Sequence, residues 1–325
     1  MVITGKKTML VIGLVLLALV FNVNIIQAEE FSIGISQIVE HPALDSAKEG
    51  FIEGLAEEGF KEGEILSINQ ENAQGEFSNA QSIAEKFKKD DHDLVLAIAT
   101  PCAQATANVI KDTPVLFTAV TDPVSAGLVD SMEDPGGNIS GTTDMNPVEE
   151  QFALIKEVVP DVETVGIIYN SGEDNSKVQV EIAEEVSEKM DIELKEGTAT
   201  NTGEVQLAAS SLVDKVDAIY LPTDNVVASA IASILKVTDD KKVPVFGSEE
   251  AMVEEGAVAT RGINYFELGR KTGQMAAEVL KGKAPSEINV EGSDSFDLVI
   301  NEKTSENLDM TIPDELIENA DNVIE

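Results

Sequence analysis

Polar side chains that could hold a small charged ligand follow most of the predicted strands of this sequence. In open α/β sheets, ligands bind beyond the carboxyl ends of the strands, so polar residues at these points are candidates for one shared site. The candidates are Gln37, Thr100, Gln104, Thr121, Asp122, Asn170, Glu173, Asn175, Ser176, Thr223, Asp224, Asn225 and Glu249, with Asp144 added from a segment predicted to cross between two lobes.

These groups together suit a zwitterion such as an amino acid. Helix N-termini with free N–H groups attract a carboxylate, and Asp or Glu side chains attract an ammonium group. Each candidate alone has a simpler explanation, because Ser, Thr, Asp and Asn are also the preferred N-cap residues of helices. Six such loops facing one cleft are harder to explain as caps alone, which favours a binding site.

The one cysteine, Cys102, is the candidate nucleophile of an enzyme. It lies at a predicted strand–helix junction, where a helix N-terminus can lower the pKa of a thiol. A two-thiol racemase needs a second cysteine, and of the two histidines only His41 follows a strand at the correct end. Burial as a small residue in the first helical turn is therefore favoured. We expect no enzyme, with a Cys102-dependent hydrolase or racemase-like enzyme as the weaker alternative.

The composition excludes other classes of function. The 325 residues contain 60 Asp and Glu against 22 Lys and Arg, a formal net charge of −38, which would repel nucleic acid. One cysteine and two histidines forbid an internal disulfide and argue against a metal centre. Gly136-Gly137 lacks the Lys-Ser/Thr that completes a phosphate-binding loop. The sequence therefore predicts neither metal nor cofactor.

Alternating strands and helices must position the polar residues. Apolar runs such as LVLAIA, VGIIY and AIYL are typical of parallel strands covered on both faces. The predicted strands are 31–37, 64–69, 93–99, 114–120, 138–142, 164–170, 191–197, 217–221, 243–247, 256–260 and 296–301. The predicted helices include 43–58, 78–89, 148–159, 177–190, 226–238 and 266–281. This alternation predicts an α/β fold of right-handed βαβ units.

The number of predicted strands indicates two sheets, since it exceeds what one compact sheet usually holds. The stretch 138–147 lies near the middle of the chain and would cross between two lobes. The helix 266–281 and the strand 296–301 would cross again, which predicts a hinge of several segments.

The N-terminal segment has the layout of a secretory signal. Residues 1–28 contain no acid, Lys6 and Lys7 form a positive region, and residues 9–23 are almost wholly apolar. A small residue, Ala28, precedes the expected cleavage point. An uncleaved anchor is the alternative, although the apolar run is short for a membrane span. No cysteine is available there for lipid attachment. We expect a protein exported to the periplasm or the outer cell surface.

Several motifs together resemble one family. TPCAQA, FTAVTDPVSAGLV, GNISGTTD, YNSGEDNS and PTDN occur in order, followed by INEKTSENLDMTIPDELIENAD at the C-terminus. From about Phe31 to Glu325 the chain is similar to the substrate-binding proteins of ABC importers whose better-known members bind tryptophan, tyrosine or phenylalanine.

The resemblance implies a periplasmic-binding-protein type 1 fold: two Rossmann-like lobes, a three-segment hinge and a ligand cleft between the lobes. The N-terminal lobe would take residues 29–142 and 265–290, and the C-terminal lobe residues 143–264 and 291–325. The protein would be a monomer that traps a small ligand, most simply an amino acid, and delivers it to a membrane permease. Asp224 or Glu173 would meet the ligand ammonium, and Thr100 or Ser176 its carboxylate.

The sequence leaves open one alternative function and the partner of an aromatic ligand. An extracytoplasmic sensory protein that binds ligand for a signalling receptor would have the same architecture. An aromatic ligand also lacks an obvious stacking partner, because the chain has no Trp and three Tyr. Phe117, His41 and Tyr169 are the candidates, although such rings more often belong to the core.

Overall fold

The computed structural model describes residues 30–293 and 295–325. The predicted signal segment, residues 1–28, lies outside these ranges. No helix within them is long and apolar enough to cross a membrane.

The first five strands of the chain form one sheet, in the order β2-β1-β3-β4-β5, and every neighbouring pair is parallel. The strand β3 is buried along its whole length, as its LVLAI sequence predicts for the centre of a covered parallel sheet. The strands are β1 (Phe31–Gln37), β2 (Leu66–Asn72), β3 (Leu94–Ile98), β4 (Val115–Thr118) and β5 (Ile139–Gly141).

The other seven strands form a second sheet, in the order β12-β11-β10-β9-β8-β6-β7. The pairs are parallel except β10 with β11, which is antiparallel. The strands are β6 (Thr164–Tyr169), β7 (Glu193–Thr198), β8 (Ala218–Tyr220), β9 (Val245–Phe246), β10 (Ala259–Gly262), β11 (Asp297–Asn301) and β12 (Asn322–Ile324).

Helices connect the strands of both sheets. The longer ones are α1 (Pro42–Glu57), α2 (Phe77–Asp90), α3 (Thr100–Val109), α4 (Val148–Val158), α5 (Asp174–Lys189), α6 (Thr202–Leu212), α8 (Ile231–Lys241) and α10 (Tyr265–Leu280). The shorter ones are α7 (Asn225–Ala228), α9 (Glu250–Glu254), α11 (Glu302–Asn307) and α12 (Asp314–Glu318).

Helix α10 returns to the first lobe, where it packs closely against α1. Four glycines make this approach possible, because an added Cβ at any of them would collide with the backbone of the facing helix. A Cβ on Gly50 would lie 2.0 Å from the Phe266 carbonyl oxygen, and one on Gly269 would lie 1.9 Å from that of Ala47. Gly54 and Gly273 are equally crowded. The contact fixes the return of the chain to the first sheet.

Three segments cross between the lobes, at residues 142–147, 263–264 and 288–293. The first and third run side by side: Thr142 bridges Glu291 in parallel, and the Thr143 N–H donates to the Glu291 carbonyl at 2.8 Å. The second crossing leads into α10 at Tyr265, whose hydroxyl donates to Asp144 in the first crossing at 2.7 Å. The α/β class, the two lobes and the three-segment hinge are therefore confirmed.

One predicted helix is wrong. Residues 226–238 form two helices, α7 and α8, separated at Ser229 and Ala230. The Ser229 hydroxyl donates to the Asn225 carbonyl at 2.7 Å, and Ala230 leaves the helical conformation with φ −123° and ψ 14°. No Pro or Gly stands at the break, so the sequence carries no usual signal of it.

The lobe boundaries drawn from the sequence, 29–142 with 265–290 and 143–264 with 291–325, stay a prediction. Sheet membership and the α1–α10 contact support this division.

Candidate functional site

A narrow cavity lies where the carboxyl ends of the two sheets face each other. In both sheets the strand order reverses near this point, between β1 and β3 in one and between β6 and β8 in the other. The cavity is lined by His41, Leu44, Ala119 and Thr121 from the first lobe, by Asn175, Thr223, Asp224, Asn225, Ala228 and Glu249 from the second, and by the crossing residues Asp144 and Tyr265.

Seven of the fourteen candidates therefore line one cavity. They are Thr121, Asp144, Asn175, Thr223, Asp224, Asn225 and Glu249. The other seven, which are Gln37, Thr100, Gln104, Asp122, Asn170, Glu173 and Ser176, do not line it.

Asp224 ties together the loops that follow β6 and β8. Its Oδ2 accepts hydrogen bonds from the Asn170 N–H at 2.5 Å and from the Ser176 hydroxyl at 2.6 Å. Its Oδ1 caps α7 by accepting from the Val227 N–H at 2.9 Å. Burial raises the pKa of this carboxyl, and the three donors work against that rise. Asp224 is thus a structural cap and a wall of the cavity at the same time.

Glu173 lies behind Asp224 and is held by two amides. The Asn170 side chain donates to its Oε1 at 3.0 Å, and the Asn225 side chain donates to its Oε2 at 2.6 Å. Burial and the nearby Asp224 charge raise the pKa of Glu173 to about 7. Both of its oxygens are therefore occupied by protein donors.

Asp144 stands in the hinge and joins both sides of it. Its Oδ1 accepts from the Thr121 hydroxyl at 2.9 Å and its Oδ2 from the Tyr265 hydroxyl at 2.7 Å. Burial raises the pKa of Asp144.

Glu249 differs from these three acids. Its side chain lines the cavity and is 3% exposed, yet no described residue donates a hydrogen bond to its carboxyl group. Burial, followed by the charges of Asp144 and Glu255, raises the pKa of Glu249 to about 8.

Other buried polar atoms at this end of the sheets also lack partners. They are His41 Nδ1, Thr100 Oγ1 and Asn175 Oδ1. Burial lowers the pKa of His41 to about 4, so its ring is neutral at physiological pH. Since buried polar groups are nearly always hydrogen-bonded, these atoms are available to a polar group of a ligand or to water.

Four candidates outside the cavity hold local structure instead. The Gln37 amide donates to the Val39 carbonyl and to Asp45. Asp122 caps the turn that follows it, accepting from the Val124 and Ser125 N–H groups. The Asn170 side-chain oxygen accepts a hydrogen bond from the Gly172 N–H at 2.9 Å, and the Ser176 hydroxyl donates its hydrogen bond to Asp224. The sequence suggested these four residues as ligand contacts because the residue types that contact ligands also cap helices and turns.

Gln104 has a different position from the one expected. Its amide donates to Asp174 Oδ2 at 2.8 Å, from α3 in the first lobe to the start of α5 in the second. It also donates to the Ala126 carbonyl at 3.2 Å. The side chain therefore bridges the two lobes and does not line the cavity.

Tyr265 and Ala119 are lining residues that the sequence analysis missed. Tyr265 is the first residue of α10, directly after a crossing segment. This position is the one feature of the sequence that could have indicated a place in the cavity lining. Ala119 follows β4 with φ 56°, and Ala99 follows β3 with φ 78°. Left-handed backbone is costly for alanine and concentrates at functional sites, but the sequence gives no sign of it.

Of the three rings proposed for stacking on an aromatic ligand, one lines the cavity and two do not. His41 lines the cavity, whereas Phe117 is fully buried in the core of the first lobe. The Tyr169 hydroxyl donates to Glu196 at 2.6 Å, away from the cavity.

Cys102 is fully buried and accepts a hydrogen bond from the Ser36 hydroxyl at 3.3 Å. Burial raises the pKa of its thiol to about 12, which is opposite to what a nucleophile needs. In the described part of the chain, no group of three or more His, Cys, Asp or Glu side chains is placed to hold a metal ion.

The whole described chain matches one family model. The model of the ABC transporter substrate binding protein family covers residues 32–324. A tyrosine-binding protein from Clostridioides difficile is 47% identical over 273 residues, which is 84% of this chain and 79% of that protein.

Two solved structures are also similar. The ABC domain from Streptococcus pneumoniae in complex with L-Trp is 38% identical, covers 91% of this chain and 100% of its own, and has a TM-score of 0.89. The ligand-free, open structure of a substrate binding protein with adhesive properties from Clostridium difficile is 45% identical, with 90% and 99% coverage and a TM-score of 0.70.

The ligand-bound relative thus superposes better than the open one, although its sequence is less similar. In the present structure the lobes are in contact across the cleft, where the Gln104 amide of α3 donates to Asp174 of α5. Sequence, fold and cleft lead to the same assignment: the chain belongs to the ABC transporter substrate-binding protein family.

Proposed function

We propose that this protein captures an aromatic α-amino acid, tyrosine or tryptophan, outside the cytoplasm and delivers it to the permease of an ABC importer. The observation that carries the proposal is the closed cavity, which offers three carboxyl groups and two rings, and no Lys or Arg among its lining residues. Such a lining suits a ligand that brings its own positive charge and an aromatic side chain.

Each part of the ligand has a place in this proposal. The ammonium lies among Asp144, Asp224 and Glu249. The carboxylate meets His41 and the Thr223 hydroxyl, which accepts from the Asn146 amide at 2.7 Å and keeps its own proton to donate. The aromatic ring packs against Tyr265, His41 and the apolar Leu44. The tyrosine-binding protein from Clostridioides difficile and the Streptococcus pneumoniae domain in complex with L-Trp support this class.

Delivery requires a partner that distinguishes the closed form from the open one. Closure brings both lobes into one surface, so a permease that contacts both would favour the loaded protein. We place the protein in the periplasm or on the outer cell surface as a monomer, released from its signal segment or held by it. We assign it no catalytic role, in keeping with the raised pKa of the buried Cys102 thiol.

A thermal-shift panel of amino acids, sugars, nucleosides and polyamines tests the proposal. A ligand at a hundred times its dissociation constant adds about 2.7 kcal/mol of stability, which is readily detected. We expect tyrosine or tryptophan to give the largest shift. A larger shift with a sugar or nucleoside would retain the family and refute the ligand class.

A further inference from the structure

Three buried acids and the half-buried Glu173 lie in or behind the cleft, and all except Glu249 are already bound by protein donors. Asp224 accepts from two N–H groups and one hydroxyl, Glu173 from two amides, and Asp144 from the hydroxyls of Thr121 and Tyr265. These three carboxyl groups can be buried without a ligand, because hydrogen bonds replace much of the hydration that they lose.

Glu249 is the exception. In residues 30–293 and 295–325, no side chain or backbone N–H donates to its carboxyl group, and no Lys, Arg or His is paired with it. Its backbone packs closely against β10: an added Cβ at Gly262 would lie 2.8 Å from the Ser248 carbonyl oxygen and 3.1 Å from Glu249 Cα. The groups that face it electrostatically are Asp144, Glu255 and Tyr265, and none of them is cationic.

Access of water to this carboxyl group differs between separated and closed lobes. When the lobes separate, water can reach it and satisfy the charge. When they close, it is almost completely buried with like charges nearby, and an isolated buried carboxylate is strongly unfavourable. A positively charged group in the cavity removes that penalty.

We propose that Glu249 is the specificity-determining residue that makes closure of the cleft depend on a cationic group in the ligand. The empty cleft stays open because closure would bury the unpaired carboxyl group, which must then keep its charge without a partner or take up a proton, and both are unfavourable. An ammonium group lowers the free energy of the closed form by supplying the missing partner. A molecule of the same shape without the ammonium binds poorly because it leaves Glu249 unsatisfied. The choice of an aromatic probe rests on the proposed function, whereas the effect on the empty protein does not.

The conformational part is tested without any ligand. Spin labels on Asn108→Cys in α3 and Glu181→Cys in α5, both exposed, report the distance between the lobes by pulsed electron spin resonance. The native Cys102 is fully buried and stays unlabelled. We expect the ligand-free parent to be mainly open. Glu249→Gln should raise its closed-to-open ratio about tenfold or more, because a neutral side chain replaces the charge.

Two further variants control this experiment. Glu249→Leu removes the carboxyl group without adding a new amide, and it should also favour closure. Glu254→Gln makes the same acid-to-amide change at an exposed position of α9 outside the cavity lining, and it should leave the distance distribution of the parent unchanged. Circular dichroism confirms that each variant is folded.

The specificity part uses L-tyrosine and its deaminated analogue, 3-(4-hydroxyphenyl)propionate, in calorimetry. The parent should prefer L-tyrosine by about 100-fold or more, and Glu249→Gln should reduce this preference at least about tenfold. Failure of the parent to bind either compound would count against the aromatic ligand, while the distance measurement would still decide the role of Glu249. A ligand-free parent that is already closed, or Glu249 variants as open as the parent, would overturn the inference.

Discussion

Asp224 shows how one side chain can serve fold and site together. Its three hydrogen bonds join the loop after β6, the start of α5 and the first turn of α7. From the sequence alone, its replacement would be expected to weaken ligand binding without affecting the fold. The structure shows that it must affect both.

We therefore predict that Asp224→Asn lowers the free energy of unfolding by about 2–3 kcal/mol in the absence of ligand, because an amide cannot accept all three bonds. Ser176→Ala removes one of the three donors and should cost about 1 kcal/mol. Urea titrations of the ligand-free proteins measure both values. An Asp224→Asn protein as stable as the parent would show that the carboxylate does not hold these loops.

Cys102 should behave as a core residue. We predict that Cys102→Ser leaves amino-acid affinity within about twofold of the parent, since the thiol is buried and does not line the cavity. In the parent, its reaction with a thiol reagent should be about 100-fold slower than in urea-unfolded protein, because the raised pKa and burial suppress the thiolate. Rapid labelling of the native protein would revive the nucleophile hypothesis.

At the scale of residues, the sequence placed the polar loops well but not each side chain. The rule that ligands bind at the carboxyl ends of strands selected Asn175, Thr223 and Asp224, which line the cavity. It could not separate them from Asp122 and Gln37, because a cap and a ligand contact use the same donors and acceptors. Tyr265 was missed because its role depends on the path of the hinge.

The packing of α1 against α10 is the most sensitive contact between elements. We predict that Gly269→Ala lowers the free energy of unfolding by about 3 kcal/mol, because its Cβ would lie 1.9 Å from the Ala47 carbonyl oxygen. Gly203→Ala in the exposed first turn of α6 is the matched control, and should be neutral or stabilising by up to about 1 kcal/mol. Equal effects of the two changes in urea unfolding would refute the close contact.

The hydrogen bond from Gln104 to Asp174 joins α3 to α5 across the cleft. We predict that Gln104→Ala weakens ligand binding about 3–10-fold, mainly through faster dissociation, because it destabilises the closed form without touching the cavity. Asn108→Ala on the same helix is the control, and should leave the dissociation rate unchanged. A Gln104→Ala protein with the dissociation rate of the parent would show that the bridge does not hold the lobes closed.

At the scale of elements, hydrophobic runs located most strands within a few residues. The run 31–37 coincides with β1, and 164–170 differs from β6 by one residue. The division between α7 and α8 could not be predicted because a serine side chain and backbone geometry produce it. The short β12 was not predicted either, because its pairing with β11 depends on the second sheet being already formed.

At the scale of the molecule, the two lobes meet across a cavity rich in acid. A similar substrate binding protein from Clostridium difficile has an open, ligand-free structure. Periodicity and composition predicted two lobes, but neither could indicate which arrangement the chain adopts, because closure is decided by a few contacts across the cleft. Binding and closure are therefore expected to occur together.

Isothermal titration calorimetry of the purified protein with L-tyrosine and L-tryptophan tests the central claim most directly. We predict binding at one site per chain with a dissociation constant of about 10 µM or below for at least one of them. We also predict no heat of binding with myo-inositol or with neutral sugars. Silence with both amino acids, together with binding of a neutral sugar or polyol, would contradict the assignment of this acidic cleft to an ammonium-bearing aromatic ligand.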